Sequence, residues 1–310
     1  MSSLKRIVIA SRESALALAQ SQMIATKLQT MGIAQEVSIL PMTTRGDQIV
    51  DRPLAQIGGK GLFIKELEVA LQQGRADIAV HSMKDMPMQL AEGFAMMVVG
   101  EREDARDAFV SNDYTSLAGL PSGARVGTSS LRRECQLRLR YPHLDIRSLR
   151  GNVNTRLRKL DEGEYEAIIL AAAGLKRLGL EKRIRAFLAL ADSLPAVGQG
   201  ALAIEYLSNR TDLSAHLEPL GNMATTACVV AERAFGAALQ GSCDIPLAGY
   251  AQMESAQLTI SGLVGMPDGS SHVKATLSGS PADAARLGRA LGEKLLALGA
   301  DRILAALQAP

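Results

Sequence analysis

The chain has 310 residues, of which 47% are hydrophobic and 21% are charged, so it has the composition of a folded globular protein with room for two or three domains. Its 34 basic and 32 acidic side chains leave a formal charge of only +2, which excludes bulk electrostatic binding to nucleic acid or to a membrane surface. No apolar stretch approaches the ~18 residues that a membrane-spanning helix needs.

The first part of the chain alternates strands with helices. β-Branched runs and helical spacing predict strands at residues 5–10, 37–40 and 78–80, and helices at residues 15–31 and 63–71. Residues 42–61 show no convincing periodicity, and loops of that length in compact domains are usually functional or mobile. This alternation is typical of an α/β lobe with a mostly parallel sheet.

The alternation recurs in a second block and then changes. Strands are predicted at residues 124–127, 145–149, 167–173 and 201–206, and a helix at residues 131–140. From about residue 222 a helix is followed by strands near residues 245–251, 258–264 and 272–277, and a final helix starts at residue 281. Because this is α+β order, we expect a third, smaller domain after the two α/β lobes.

Basic residues concentrate in one window of the sequence. Residues 125–159 hold ten basic side chains, nine of them arginine, against two acidic ones. A guanidinium binds a carboxylate or phosphate through two parallel hydrogen bonds, and helix N-termini and strand ends add further anion sites. The residues predicted on this basis to bind a small polyanion are Arg12, Arg132, Arg133, Arg150 and Arg156. Those expected to line solvated helix faces are Arg138, Arg140 and Arg158.

Two other anionic partners are less consistent with the sequence. Nucleic-acid recognition would need a continuous basic stripe or a known reading motif, and neither is present. The glycine-rich run at residues 57–61 resembles a phosphate-binding loop, but Gly61 follows Lys60 where the Walker pattern needs Ser or Thr. We therefore interpret this run as a lid in which Lys60 supplies one positive charge.

Three cysteines are spread along the chain without a C-x-x-C pair, which fits a reducing compartment and no metal site. We accordingly expect a cytoplasmic protein. Cys228 lies within the apolar run 227–231, and both Cys228 and Cys135 are expected to be buried. Cys243 lies in a loop of small residues, where covalent attachment and a plain buried thiol both stay open.

A polar turn follows the predicted strand at residues 78–80. Asp85 lies there beside Lys84, where a carboxylate can stabilise a developing cation or exchange a proton, and a turn-capping role stays open. His81 in the same turn is expected to be a hydrogen-bonded structural residue.

Seven segments, in order along most of the chain, resemble the porphobilinogen deaminase (hydroxymethylbilane synthase) family. They are TTRGD (43–47), GGKGLFIKELE (58–68), ADIAVHSMKD (76–85), GTSSLRR (127–133), RSLRGNVNTRL (147–157), LPAVGQGA (194–201) and ERAFGAALQGSCDIPLA (232–248). The resemblance implies two periplasmic-binding-protein-like (type II) α/β lobes and a C-terminal α+β domain with a three-stranded antiparallel sheet. The implied domains are residues 1–100 with 200–218, residues 101–199, and residues 219–310.

The same resemblance implies a transferase that joins four porphobilinogen molecules head to tail, with loss of ammonia, into the linear tetrapyrrole hydroxymethylbilane of heme biosynthesis. It implies a dipyrromethane cofactor held by a thioether to Cys243, and a catalytic role for Asp85. The other implied cofactor-binding residues are Lys84, Thr128, Ser129, Ser130, Arg132, Arg133, Arg150 and Gln199. The implied substrate-binding residues are Arg12, Ser14, Arg156, Arg177 and Lys60.

One position departs from the family pattern, because Gln56 stands where the family often has a second lid lysine. The implied protein is a monomer whose partner is the small molecule porphobilinogen, with no nucleic acid, membrane or metal. The alternative is a non-catalytic two-lobed binding protein for a small polycarboxylate. The N-terminal apolar run is too short for the secretory signal that such binders usually carry, which disfavours it.

Overall fold

The computed structural model describes residues 3–48, 61–239 and 245–308. Its strands are β1 (Leu4–Arg12), β2 (Ala34–Met42), β3 (Ile78–Ser82), β4 (Phe94–Val99), β5 (Asp107–Val110), β6 (Arg125–Gly127), β7 (Asp145–Arg147), β8 (Ala167–Ala171), β9 (Ala186–Phe187), β10 (Leu202–Leu207), β11 (Leu247–Glu254), β12 (Gln257–Gly265) and β13 (His272–Gly279). Its helices are α1 (Ala15–Thr30), α2 (Arg45–Gln48), α3 (Lys65–Gln72), α4 (Leu131–Arg140), α5 (Val153–Asp161), α6 (Ala172–Arg177), α7 (Thr211–Leu217), α8 (Met223–Ala238), α9 (Ala284–Leu295) and α10 (Asp301–Gln308).

The observed elements follow the predicted order, with several differences. β4, β5 and β9 are not among the predicted strands, and β5 and β9 have only four and two residues. The strand predicted at residues 167–173 ends at Ala171, where α6 begins. The strand predicted at residues 37–40 extends over Ala34–Met42 in the structure, because β2 pairs with β1 over its whole length. Pro41 is tolerated there because β2 is an edge strand.

The chain forms two compact units. One comprises Met1–Arg102 and Ala201–Thr226, and the other comprises Glu103–Gly200 and Ala227–Pro310. The C-terminal residues therefore belong to the same unit as residues 103–200, and the finer division into three domains stays a prediction.

Each unit contains a five-stranded sheet with the same pattern of directions. The order is β2-β1-β3-β10-β4 in the first unit and β7-β6-β8-β5-β9 in the second. In each sheet the first three strands are parallel, and β10 or β5 runs antiparallel to both of its neighbours. The mostly parallel sheets predicted from the alternation are thus confirmed. The reversed strand in each unit, β10 or β5, is the first strand after the chain crosses into that unit from the other one.

Both faces of the second unit's sheet are covered by helices. Along β8, Ile168 and Leu170 belong to a core cluster that includes Leu157 of α5. The alternate residue Ile169 belongs to a second cluster, with Leu137 of α4. Because side chains alternate along a strand, a strand buried on both faces needs the continuous apolar run that the sequence has here.

The C-terminal part carries the predicted three-stranded antiparallel sheet, in the order β11-β12-β13. Phe235 of α8 is fully buried and packs directly on this sheet. A Cβ on Gly262 would lie 2.5 Å from the Phe235 ring, so only glycine permits this close approach. The predicted fold class, two α/β lobes followed by an α+β domain, is confirmed.

The described residues hold neither a membrane-spanning helix nor a metal-binding cluster. None of the helices in residues 3–48, 61–239 and 245–308 is long and apolar enough to span a membrane. The same residues contain no group of three His, Cys, Asp or Glu side chains placed to hold a metal ion.

Candidate functional site

The predicted site residues fall in both units. Lys60, Cys243 and the departing position Gln56 lie outside the described residues. The first unit carries Arg12, Ser14, Lys84 and Asp85. The second unit carries Thr128, Ser129, Ser130, Arg132, Arg133, Arg150, Arg156, Arg177 and Gln199.

In the first unit, Arg12 is the last residue of β1 and its guanidinium is already engaged. Nε donates to Asp47 Oδ2 at 3.0 Å, Nη2 donates to Asp47 Oδ1, and the guanidinium carbon lies 4.2 Å from the centre of the Phe63 ring. Burial opposes the charge, but the hydrogen bonds to Asp47 and the charge of Asp85 raise the pKa of Arg12. Ser14 caps α1 by accepting from Ala17 N at 3.4 Å. The structure thus brings Arg12 and Asp85 into electrostatic range.

Asp85 ends a 3₁₀ turn, Met83–Asp85, that follows β3. Met83 is buried and its N–H donates to Ala201 O of the segment entering β10, at 3.0 Å. Lys84 is half-buried and Asp85 is exposed. Because the turn is anchored on one side and open on the other, it presents a carboxylate to solvent from a rigid base.

Beneath this turn lies a buried pair. His81 Nε2 is 2.9 Å from Glu205 Oε2 of β10, and both side chains are almost completely inaccessible to solvent. The expectation that His81 is a hydrogen-bonded structural residue is confirmed.

Cys135 and Cys228 are buried, as expected. Burial raises the pKa of Cys135 to about 11.

In the second unit, two helices start directly after parallel strands. α4 follows β6 and is capped by Ser130, whose Oγ accepts from Arg133 N at 3.4 Å. α5 follows β7 and is capped by Asn152, whose side chain accepts from Thr155 N at 2.9 Å. Since β6 and β7 are parallel neighbours, both helix N-termini lie at the same edge of the sheet. This edge is rich in backbone N–H donors.

The hydroxyl residues of the predicted site organise the turn between β6 and α4. Thr128 is buried and its Oγ1 accepts from Ser130 N at 3.2 Å. Ser129 Oγ donates to Leu149 O at 2.7 Å, which joins this turn to the segment after β7. These residues therefore fix the geometry of the edge where Arg132 and Arg150 lie.

Arg132 and Arg133 converge on one buried carboxylate, that of Asp107 at the start of β5. Arg132 donates from Nη1 at 2.8 Å and from Nη2 at 3.1 Å, and Arg133 donates from Nη2 at 2.8 Å and from Nε at 3.0 Å. Ser193 Oγ and Gln199 Nε2 each donate to Asp107 at 2.9 Å. Burial alone would raise the pKa of Asp107, but the two guanidiniums hold it well below its usual range.

The cluster around Asp107 retains a net positive charge, because one carboxylate faces two guanidiniums. Arg132 Nε and Arg150 Nη1 are buried and have no hydrogen-bond partner among the described residues. Burial lowers the pKa of Arg177 to about 10, against a smaller opposing effect of Glu103. Such groups are ready to bind an anion, since an unpaired buried donor is costly.

The arginines expected on helix faces have local partners instead. Arg138 pairs with Glu134 and Arg158 with Glu162, each one turn apart on its helix, and Arg140 pairs with Asp192. Arg156 Nε donates to Gly151 O at 2.8 Å, at the start of α5. The side chains of Arg140 and Arg158 are exposed, as expected, whereas that of Arg138 is half-buried.

Asp107 was not among the residues singled out from the sequence. The only local indication of its role is that Asp107 is an acidic residue at the first position of an apolar strand. An ordinary surface carboxylate before a buried strand has the same sequence pattern. Its role depends on α4 and on residues 193–199 reaching the same point, which sequence spacing does not reveal.

Comparison with known families decides the relationship. Residues 7–215 match the model "Porphobilinogen deaminase, dipyromethane cofactor binding domain", and residues 226–297 match "Porphobilinogen deaminase, C-terminal domain". The chain belongs to the porphobilinogen deaminase family. The resemblance of the sequence segments is thereby confirmed.

Curated members of the porphobilinogen deaminase family are similar over their whole length. The porphobilinogen deaminase of Laribacter hongkongensis is 59% identical over 308 residues, covering 99% of both chains. That of Nitrosomonas europaea is 58% identical over 307 residues, covering 99% of this chain and 100% of the relative.

Solved structures with a similar trace include two binding proteins. The methionine-binding protein MetQ is 14% identical with a TM-score of 0.43, covering 69% of this chain and 89% of that one. The Escherichia coli aliphatic sulphonate binding protein SsuA is 12% identical with a TM-score of 0.41, covering 77% of this chain and 71% of that one.

The described residues fit the cofactor of the porphobilinogen deaminase family. A dipyrromethane carries acetate and propionate side chains, and the second unit offers Arg132 Nε, beside the positive cluster around Asp107, and Arg150 Nη1, both without a partner among the described residues. Carboxylates are the natural partners of such guanidiniums.

Proposed function

We propose that this chain is a transferase that deaminates porphobilinogen and joins four molecules of it head to tail into hydroxymethylbilane. The family membership supports the reaction. The single structural observation that carries the proposal is the set of buried guanidinium nitrogens without partners at the edge of the second sheet, on Arg132 and Arg150. Each porphobilinogen brings two carboxylates, so a protein that handles four needs several such sites.

We assign the residues of the second unit to the carboxylates of cofactor and substrate. Arg132, Arg133, Arg150, Thr128, Ser129, Ser130 and Gln199, together with Lys84 of the first unit, are assigned to the cofactor. Arg156 and Arg177 of the second unit are assigned to the substrate, as are Arg12 and Ser14 of the first unit and Lys60 outside the described residues. When bound through Cys243, the dipyrromethane supplies the pyrrole carbon to which the first substrate is joined.

Asp85 is assigned the catalytic role. Its exposed carboxylate, on a turn anchored by Met83, is suited to stabilise the positive charge that develops on the pyrrole as ammonia leaves. Arg12 lies within electrostatic range of Asp85, and its own charge is offset by Asp47, so it does not cancel the effect of Asp85. We also propose that the protein works as a monomer in the cytoplasm.

The decisive experiment measures the mass of the denatured chain and the release of ammonia from porphobilinogen. The wild type should be heavier than its sequence mass by two linked pyrrole units, and Cys243→Ser should lose both the added mass and the activity. Cys228→Ser is the control, since that thiol is buried in α8. A wild type of bare sequence mass that binds porphobilinogen without releasing ammonia would show a binding protein instead.

A second variant tests the assignment of Asp85. Asp85→Asn preserves the shape of the side chain and removes its charge. It should bind porphobilinogen with little change but turn over at least about a hundredfold more slowly, as expected for lost transition-state electrostatics. Wild-type turnover by this variant would contradict the assignment.

A further inference from the structure

The segment Leu194–Gly200, with sequence LPAVGQG, contacts two of the arginines assigned to carboxylates. Arg132 Nη1 donates to Leu194 O at 2.5 Å. Arg177 Nη2 donates to Gly200 O at 2.7 Å. The two carbonyl groups therefore help to set the direction in which each guanidinium points.

The same segment is tied to the cluster around Asp107. Gln199 Nε2 donates to Asp107 Oδ1 at 2.9 Å and to Ala105 O at 2.6 Å. Leu194 N donates to Gln136 Oε1 of α4 at 2.7 Å. A displacement of this segment would consequently move acceptors of both arginines and one donor to Asp107.

Glu232 of α8 holds the middle of this segment from the other side. Its side chain is completely buried, Oε2 accepts from Gly198 N at 2.7 Å, and Oε1 accepts from Ala251 N of β11 at 2.7 Å. Gly198 has φ +73°, a backbone conformation that favours glycine. One carboxylate thus clamps the LPAVGQG segment between α8 and the C-terminal sheet.

A carboxylate is a costly choice for this position if its task is only to fill space. Burying an ionised group is unfavourable, and apolar residues of similar volume often stabilise a core as well or better. Hydrogen bonds to a charged acceptor are, however, shorter and stronger than neutral ones, and they fix the donor's direction. The carboxylate of Glu232 is therefore suited to hold the LPAVGQG segment in one position.

We infer that Glu232 is a positioning residue for Arg132 and Arg177, acting through the LPAVGQG segment without touching cofactor or substrate. The inference rests on the proposed function, in which both guanidiniums bind carboxylates. Loss of the clamp therefore weakens carboxylate binding, while the chemical step at Asp85 in the first unit changes little.

The test compares Glu232→Gln with the wild type in the complete, cofactor-loaded protein. Glutamine keeps the shape, but its NH₂ group faces one of the two N–H donors, so one charge-assisted bond is lost. The KM for porphobilinogen should rise about tenfold and kcat should change by less than about threefold. The fraction of purified chains that carry covalent dipyrromethane, read from the mass spectrum, should also fall.

Glu254→Gln is the matched control. Glu254 ends β11 in the same unit, is exposed and accepts only from Gln252 among the described side chains. This variant should keep the wild-type KM and full cofactor loading. Glu232→Asp is the second test variant, because it retains the charge but is too short to reach both donors.

The outcomes separate the two claims. A folded Glu232→Gln or Glu232→Asp with wild-type KM and loading would overturn the positioning role. So would failure of both variants to fold, since the role of Glu232 would then be purely structural. A wild type that releases no ammonia from porphobilinogen would instead refute the proposed function.

Discussion

Replacing Asp107 by asparagine would test how the positive cluster of the second unit is held. The substitution preserves shape but removes the single negative charge between Arg132 and Arg133, which are both buried. The asparagine NH₂ group would also face donors from Ser193 or Gln199. The cluster would change from one excess positive charge to two.

The expected loss of stability is large. Removing one partner of a buried ion pair typically costs about 3–5 kcal/mol, because the remaining charge is left buried and unpaired. An entire domain is stable by only about 5–15 kcal/mol. We therefore expect Asp107→Asn to fold at low temperature but to unfold at a clearly lower urea concentration than the wild type.

The assay is urea denaturation followed by circular dichroism, with Asp145→Asn as the control. Asp145 pairs with Arg147 on β7 of the same unit, but both side chains are about half exposed, at 41% and 54%. A solvated pair of this kind contributes about 0–1 kcal/mol. If Asp107→Asn and Asp145→Asn shift the midpoint equally, the reasoning about the buried cluster is refuted.

The pKa of Asp107 also predicts how the stability difference between the wild type and Asp107→Asn depends on pH. The pKa of Asp107 is held below its ordinary value of 3.8. A carboxyl with a lowered folded-state pKa contributes stability that is fully present above the unfolded value and is lost as the pH falls through the folded value. The difference in the free energy of unfolding between the wild type and Asp107→Asn should therefore stay constant from pH 7 to about pH 4. It should become smaller only below that pH.

Two further substitutions have matched controls. Gly200→Ala should destabilise by at least about 2 kcal/mol, because φ is +89° and the new Cβ would lie 2.3 Å from Glu103 O. Gly123→Ala, with φ +77° and no atom within 4 Å, should lose only about 1 kcal/mol of stability in thermal denaturation. Equal losses of stability in Gly200→Ala and Gly123→Ala would contradict the predicted clash with Glu103. Arg150→Leu should fold but carry less covalent cofactor, as measured by mass, whereas Arg158→Leu should load normally because Arg158 pairs with Glu162 on an exposed helix face. Full loading of Arg150→Leu would contradict its assignment.

The sequence by itself determined the family, the α/β order of the lobes and the antiparallel C-terminal sheet. These follow from local patterns: alternating strands and helices, and seven motif segments that occur in order along the chain. The arginine-rich window also indicated an anion site, because residue type and proximity to strand ends are local properties.

Only the tertiary structure decided how the arginines are used. The pairing of Arg12 with Asp47, the convergence of Arg132 and Arg133 on Asp107, and the clamp from Glu232 join residues far apart in the chain. Hydrogen bonding and desolvation depend on which groups meet in three dimensions, and spacing along a sequence does not encode that. In the proposed function, the charge left over after these pairings, rather than the number of arginines, determines where carboxylates bind.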